Sequence, residues 1–165
     1  CPITTHLPLK KVVKKIKFEK ISDNIRQINN FYKYSLNKKP VIAVLGLNPH
    51  CETTDKFSEE DKIIKPVIRS LSRKNISVKG PFPADTFFLK KNIKKFDIAV
   101  GMYHDQVLTP IKTLFGFDAI NLTLGLPFIR VSPDHGTNND MIGRNMSNPR
   151  SFYLAVDFLD RINEI

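Results

Sequence analysis

The 165-residue chain is 41% hydrophobic and 25% charged, values of an ordinary globular protein long enough to bury a core. No apolar run reaches spanning length and no charged-then-apolar leader opens the sequence, so a soluble cytoplasmic domain without a membrane partner is expected. The net charge of +10 sits largely in lysine pairs at 10–11, 14–15, 90–91 and 94–95 that read as solvated helix faces; without arginine-rich or aromatic-interleaved elements, no nucleic-acid partner is expected.

The chain opens at Cys1, directly inside Ile3-Thr4-Thr5-His6, and reads like a cut into a longer protein. Cys1 and Cys51 make neither a disulfide framework nor a CxxC site, as in a reducing compartment. Leu9, Val12, Val13 and Ile16, then Ile21, Ile25, Ile28 and Tyr32, recur at helical spacing, and Ser22 or Asp23 can cap the second helix. The run VIAVLGL at 41–47 is a strand buried on both faces, emptying into Asn48-Pro49-His50. Ser58-Glu59-Glu60-Asp61 resembles a capping box ahead of a stripe of Ile63, Ile64, Val67, Ile68 and Leu71, in which Pro66 predicts a bend.

A short strand at 76–78 leads to the turn-rich segment GPFPADT at 80–86, which presents Asp85, and a basic helix is predicted over 87–96. The strand at 98–100 ends on Tyr103, His104, Asp105 and Gln106; a second apolar run at 119–126 is followed by Phe128-Ile129-Arg130 and Asp134-His135-Gly136-Thr137. Asn148-Pro149 starts a terminal helix whose stripe is Phe152, Ala155, Val156, Leu159 and Ile162. Strands alternate with helices, so the class is α/β, and a site is expected where strands end.

His6, His50 and His104 each follow a strand-like segment or a turn, but they are dispersed, and a structural imidazole is the default for each alone. Their small and polar neighbours favour a site. Imidazoles suit zinc, cobalt, nickel or iron(II), and Asp85 or Asp105 can orient them or add oxygen ligands. Lys112, Asn121 and Arg130 flank the same predicted strand ends and suit a phosphorylated or carboxylated substrate, although Lys112 alone reads equally as a solvated helix lysine.

TTHLPL at 4–9, GLNPH at 46–50, GPFPADT at 80–86, MYHDQ at 102–106 and NLTLGLPFIRVSPDHGT at 121–137 resemble, in order, the 4-hydroxythreonine-4-phosphate dehydrogenase family of pyridoxal phosphate biosynthesis. The resemblance covers nearly the whole chain but only the C-terminal half of the family. It implies the two-domain fold of isocitrate and isopropylmalate dehydrogenases, with 1–96 on the metal and dimerisation side and 97–165 closing the NAD-binding domain. It further implies that His6, His50 and His104 bind one divalent metal (Zn, Mg, Co, Mn or similar) in an active site shared across a homodimer. Lys112, Asn121 and Arg130 match substrate-binding residues, and His135, Gly136, Thr137 and Asn148 match the NAD or NADP loop. Asp85 and Asp105 are candidate orienters or proton carriers in catalysis. The implied reaction is oxidation and decarboxylation of 4-phosphohydroxy-L-threonine to 3-amino-2-oxopropyl phosphate.

Two features depart from the family. Its N-terminal half is missing, so this chain alone is expected to be incomplete, and the glycine-rich segment usual after GLNPH is replaced by the glycine-free CETTDK at 51–56. The alternatives are a related dehydrogenase of threonate or erythronate phosphate, and an inactive remnant or binding subunit.

Overall fold

A computed structural model describes residues 1–163 other than 55, 117, 137 and 138. The chain forms two compact units, Cys1–Pro110 and Ile111–Ile165. No described helix is long and apolar enough to cross a membrane.

The first unit is built on strand β1, Ile42–Leu45, whose four residues are all fully buried. Parallel strands flank it: β2, Val78–Phe82, on one side and β3, Ile98–Val100, on the other. Continuous burial is what a central parallel strand requires, and it accounts for the unbroken apolar run. Residues 1–3 extend the sheet beyond β3. Pro2 bridges Gly101 in parallel, Gly101 N–H donates to Cys1 O at 3.0 Å, and Ile3 N–H donates to Gly101 O at 2.8 Å. The entry to the sheet is closed by Asp97, whose carboxylate accepts from Val41 N–H at 2.8 Å and pairs with Lys38.

Helices cover this sheet. α1, Leu9–Lys15, buries only Val12; Leu9 and Val13 of its predicted stripe are exposed. α2, Phe18–Ser35, buries Ile21, Ile25 and Ile28 at helical spacing, and it starts ahead of Ser22, which is a buried helix residue rather than the predicted cap. α3, Lys65–Ser72, buries Val67, Ile68 and Leu71. The bend predicted at Pro66 takes the form of a π-helical turn over Glu60–Ile64 leading into α3. Proline has no N–H for a normal helical bond, and a wider turn ahead of it accommodates that gap.

Two expectations are corrected here. The segment read as turn-rich at 80–82 completes β2, an edge strand, where proline is tolerated because one side of the ladder is unpaired. Gly80, at φ 135°, is needed there: a Cβ would lie 2.4 Å from Val44 O. The predicted basic helix at 87–96 is two single turns, α4 at Ala84–Phe87 and α5 at Lys90–Ile93, separated by an extended Leu89. Phe82, Phe87, Phe88 and Phe96 pack with Ala43 and Leu45, and Phe82 and Phe96 meet edge to face at 5.2 Å.

Helix α6, His104–Phe115, runs from the first unit into the second. The second unit contains an antiparallel hairpin of β4, Ile120–Thr123, and β5, Arg130–Pro133, with the terminal helix α7, Arg150–Asn163. Ser151 of α7 joins them, donating to Ala119 O at 2.5 Å and accepting from Asp134 N–H at 3.0 Å.

Candidate active site

In the first unit every candidate ligand follows the carboxyl end of a parallel segment. His6 follows the paired segment 1–3, His50 follows β1, Asp85 follows β2, and His104 follows β3 as the first residue of α6. Parallel strands align their carboxyl ends, so topology alone gathers side chains far apart in sequence. The His6 and His104 rings lie 5.8 Å apart between centroids. With Thr4, Leu7, Leu9, Tyr103 and Asp105 they line a cleft of about 260 Å³. His50 Nδ1 lies 3.8 Å from Asp85 Oδ2, and His104 Nδ1 is 2.6 Å from Asp105 Oδ1. Among the described residues, no group of three or more metal-capable side chains converges within the single chain.

His6 and His50 share a further property. Both take left-handed backbone conformations, at φ 51° and 53°, and Cys51 follows at φ 61°. Such conformations are uncommon outside glycine and persist only where surrounding structure enforces them.

Buried hydrogen bonds brace the strand ends that lead into these residues. Gln106 Nε2 donates to Gly46 O, and Met102 N–H donates to Gln106 Oε1, both at 2.7 Å, so one side chain ties the end of β1 to the end of β3. Thr4 Oγ1 donates to Met102 O at 2.8 Å and adds the segment before His6 to the same frame. Gly101 makes this possible, since a Cβ there would meet Val107 Cγ1 at 2.5 Å.

Glu60 is the residue that sequence reasoning missed. It is fully buried, and its carboxylate accepts from Leu47 N–H at 2.7 Å, Asn48 N–H at 2.8 Å and Asn48 Nδ2 at 2.8 Å. Burial pushes this carboxyl up, but the hydrogen bonds from Asn48 and Leu47 outweigh that and hold it below the ordinary range. In the SEED segment only Ser58 caps, accepting from Asp61 N–H at 3.3 Å. The available signal was the stripe itself: Glu60 precedes Ile64, Val67, Ile68 and Leu71 at spacings of four, seven, eight and eleven, the buried side of the helix.

The remaining candidates belong to the second unit. Asn121 pairs with Ser132 and Thr123 with Arg130 across the hairpin, so Asn121 and Arg130 share one face of the ribbon. Arg130 donates to Thr123 Oγ1 at 3.3 Å. Lys112 Nζ donates to Asp134 O at 3.0 Å and lies 3.5 Å from its carboxylate, so it is held by a partner rather than merely solvated. His135 and Gly136 are exposed, a Cβ on Gly136 would meet open space, and Asn148 Oδ1 accepts from Arg150 N–H at 3.0 Å at the start of α7. Thr137 lies outside the described residues.

The sequence model of the pyridoxal phosphate biosynthetic protein PdxA matches residues 1–159. The chain belongs to the PdxA family. A 4-hydroxythreonine-4-phosphate dehydrogenase from a Sulfurihydrogenibium species is 47% identical over 157 residues, 94% of this chain and 48% of that protein. A D-threonate 4-phosphate dehydrogenase from Pectobacterium atrosepticum is 36% identical over 155 residues, 93% of this chain and 48% of that protein. The solved structure of a 4-hydroxythreonine-4-phosphate dehydrogenase from Klebsiella pneumoniae superposes with a TM-score of 0.83 at 35% identity, covering 97% of this chain and 49% of that one. The chain thus spans about half the length of the PdxA relatives it matches, and its α/β fold with a parallel sheet is theirs.

Proposed function

We propose that the protein carrying this chain is a homodimeric, metal-dependent NAD(P) dehydrogenase that oxidises and decarboxylates 4-phosphohydroxy-L-threonine, giving 3-amino-2-oxopropyl phosphate. The observation that carries this is the pairing of His6 with His104, with His50 and Asp85 at neighbouring strand ends, in a chain matched to PdxA over 1–159. Within the two-domain isocitrate dehydrogenase-like fold proposed here, 1–96 forms the metal and dimer side and 97–165 closes the nucleotide domain.

The donor set fits a divalent ion. Imidazoles are its commonest nitrogen ligands, and two of these rings already lie within reach of one centre. His6, His50 and His104 would hold it, the partner subunit completing the site. When bound, the ion supplies a Lewis acid at the substrate hydroxyl and the nicotinamide supplies the hydride acceptor. The chain's own residues do the rest. Asp105 accepts from His104 Nδ1 and leaves Nε2 as the ligand nitrogen, whereas Asp85, 3.8 Å from His50 Nδ1, is near that ring without a hydrogen bond to it. Asp85 is exposed and can carry the hydroxyl proton away. Arg130 and Asn121, on one ribbon face, bind the anionic ends of the substrate, and Lys112 adds a point charge. The open polar loop at His135 and Gly136, with Asn148 and Thr137, would receive the adenosine side of the nucleotide.

A second reading, oxidation of D-threonate 4-phosphate, is favoured by the Pectobacterium relative. Both substrates present a phosphate and a secondary hydroxyl, so one assay decides. NADH absorbance is followed with each substrate in the full-length protein, before and after chelation. The proposal expects turnover with 4-phosphohydroxy-L-threonine, loss on chelation, and one metal per chain that His50→Asn with His104→Asn abolishes. Metal retained in that double variant removes the ligand assignment, and turnover only with D-threonate 4-phosphate selects the second reading.

A further inference from the structure

We infer that Glu60 is a positioning residue whose buried carboxylate fills the paired backbone amides of Leu47 and Asn48 and so fixes the left-handed turn that presents His50. Consecutive N–H groups converging on one point form a small anion-binding concavity, which other proteins fill with phosphate or a substrate carboxylate. Here the chain fills it internally. Oε1 accepts both amides, at 2.7 and 2.8 Å, while Oε2 accepts Asn48 Nδ2 at 2.8 Å and Ser58 Oγ at 3.3 Å. The surroundings are filled as well: a Cβ on Gly46 would lie 3.1 Å from Glu60 Oε1 and 2.6 Å from Cys51 Sγ.

The consequence falls on the two residues after Asn48-Pro49. His50 and Cys51 sit at φ 53° and 61° in a turn without glycine, so their conformation must be enforced from outside. Among the described residues, the turn's own backbone bonds run from Cys51 N–H to Asn48 O at 3.1 Å and from Glu52 N–H to Pro49 O at 3.0 Å. Glu60 holds the entering side of that turn from the π-helical segment Glu60–Ile64, which places its carboxylate under the strand end. The inference deepens the proposed reading of His50 as a ligand and rests on it only for the metal arm of the test.

The test compares Glu60→Gln and Glu60→Asp with Leu71→Ala, a core change away from the turn, in the full-length protein. Amide hydrogen exchange at Leu47 and Asn48 is read against Ile42, whose N–H donates to Ser77 O at 2.8 Å. Glu60→Gln keeps one acceptor oxygen for what two oxygens served, so an N–H₂ faces either the two backbone amides or Asn48 Nδ2, and the weakened anchor should let the two amides exchange roughly tenfold faster relative to Ile42. Glu60→Asp, shorter but still an acceptor, should give a smaller shift in the same direction, and Leu71→Ala should move all three amides together. Zinc titration of the same proteins should show a roughly 10–100-fold loss of affinity in Glu60→Gln and little in Leu71→Ala. Leu47 and Asn48 amides that keep pace with Ile42 in both Glu60 variants overturn the inference. Loosened amides with unchanged zinc affinity support it and remove His50 from the metal site.

Discussion

Replacing Gln106 with leucine should separate the strand-end frame from the core beneath it. Leucine nearly conserves volume, so little of the effect comes from a cavity. Two polar groups lose their partner: Met102 N–H and Gly46 C=O, each bonded to the Gln106 amide at 2.7 Å. Both groups belong to buried residues, and an unsatisfied buried group costs about 1–3 kcal/mol. The expected loss is therefore about 2–6 kcal/mol, a large part of the stability of a domain this size. Denaturant unfolding followed by circular dichroism gives the midpoint, and an unchanged slope certifies that stability alone has moved. Gln106→Glu refines the test: a carboxylate still accepts from Met102 N–H but sets an acceptor against Gly46 O, so it should fall below wild type and recover part of the loss in acid, where the protonated carboxyl can donate to Gly46 O again. A Gln106→Leu protein within about 0.5 kcal/mol of wild type would refute the claim that this amide links β1 to β3.

Asp97→Asn should destabilise by about 1–2 kcal/mol at neutral pH, through the weakened bond to Val41 N–H and the lost charge beside Lys38. The Lys38 hydrogen bond, then that from Val41 N–H, hold the Asp97 carboxyl below its ordinary range. Its contribution is therefore complete above the unfolded carboxyl value of about 3.9 and is lost as pH falls through the lower folded value. Unfolding curves of the two proteins should converge in acid; a difference that persists at the lowest pH where both still fold contradicts this. Gly80→Ala should cost at least roughly 2 kcal/mol, since φ 135° and a Cβ 2.4 Å from Val44 O leave no relaxed solution, and thermal unfolding reads it directly. On the proposed role of Arg130 as an anion-binding residue, Arg130→Ala in the full-length protein should raise KM for the phosphorylated substrate by roughly tenfold or more.

Much of the first unit was legible because its elements are decided locally. The run at 41–47 announces a doubly covered strand, and Ile42, Ala43, Val44 and Leu45 are all fully buried. Ile21, Ile25 and Ile28 likewise declare the inner face of α2. Where neighbours decide, the sequence was silent. Gly80-Pro81 reads as a turn because nothing local says that β2 lies at a sheet edge, where those residues serve as strand. The 87–96 helix failed because Phe87, Phe88 and Phe96 are drawn into one aromatic cluster, which breaks the segment at Leu89. Among candidate site residues, the histidines stood out through their turn-like settings, and the fold brings the rings of His6 and His104 to 5.8 Å. Glu60 was hidden because an acidic residue beside a serine reads as a surface cap, although its helical phase puts it inside.

The left-handed backbone at positions 6 and 50 also limits how these sites can drift. Residues that enter this region readily are glycine, asparagine, aspartate and histidine, whereas others incur roughly 1–2 kcal/mol. Within that short alphabet, histidine alone offers an imidazole and aspartate alone a carboxylate. Glutamate and cysteine, ligands elsewhere, are disfavoured here by chain geometry before any chemistry is considered, and Cys51 at φ 61° already bears that strain. Substitution at His6 or His50 should therefore run toward asparagine or glycine when the imidazole is lost, and toward aspartate when an oxygen takes the place of nitrogen. The handedness of two peptide units thus acts as a filter on which side chains selection can place at these strand ends.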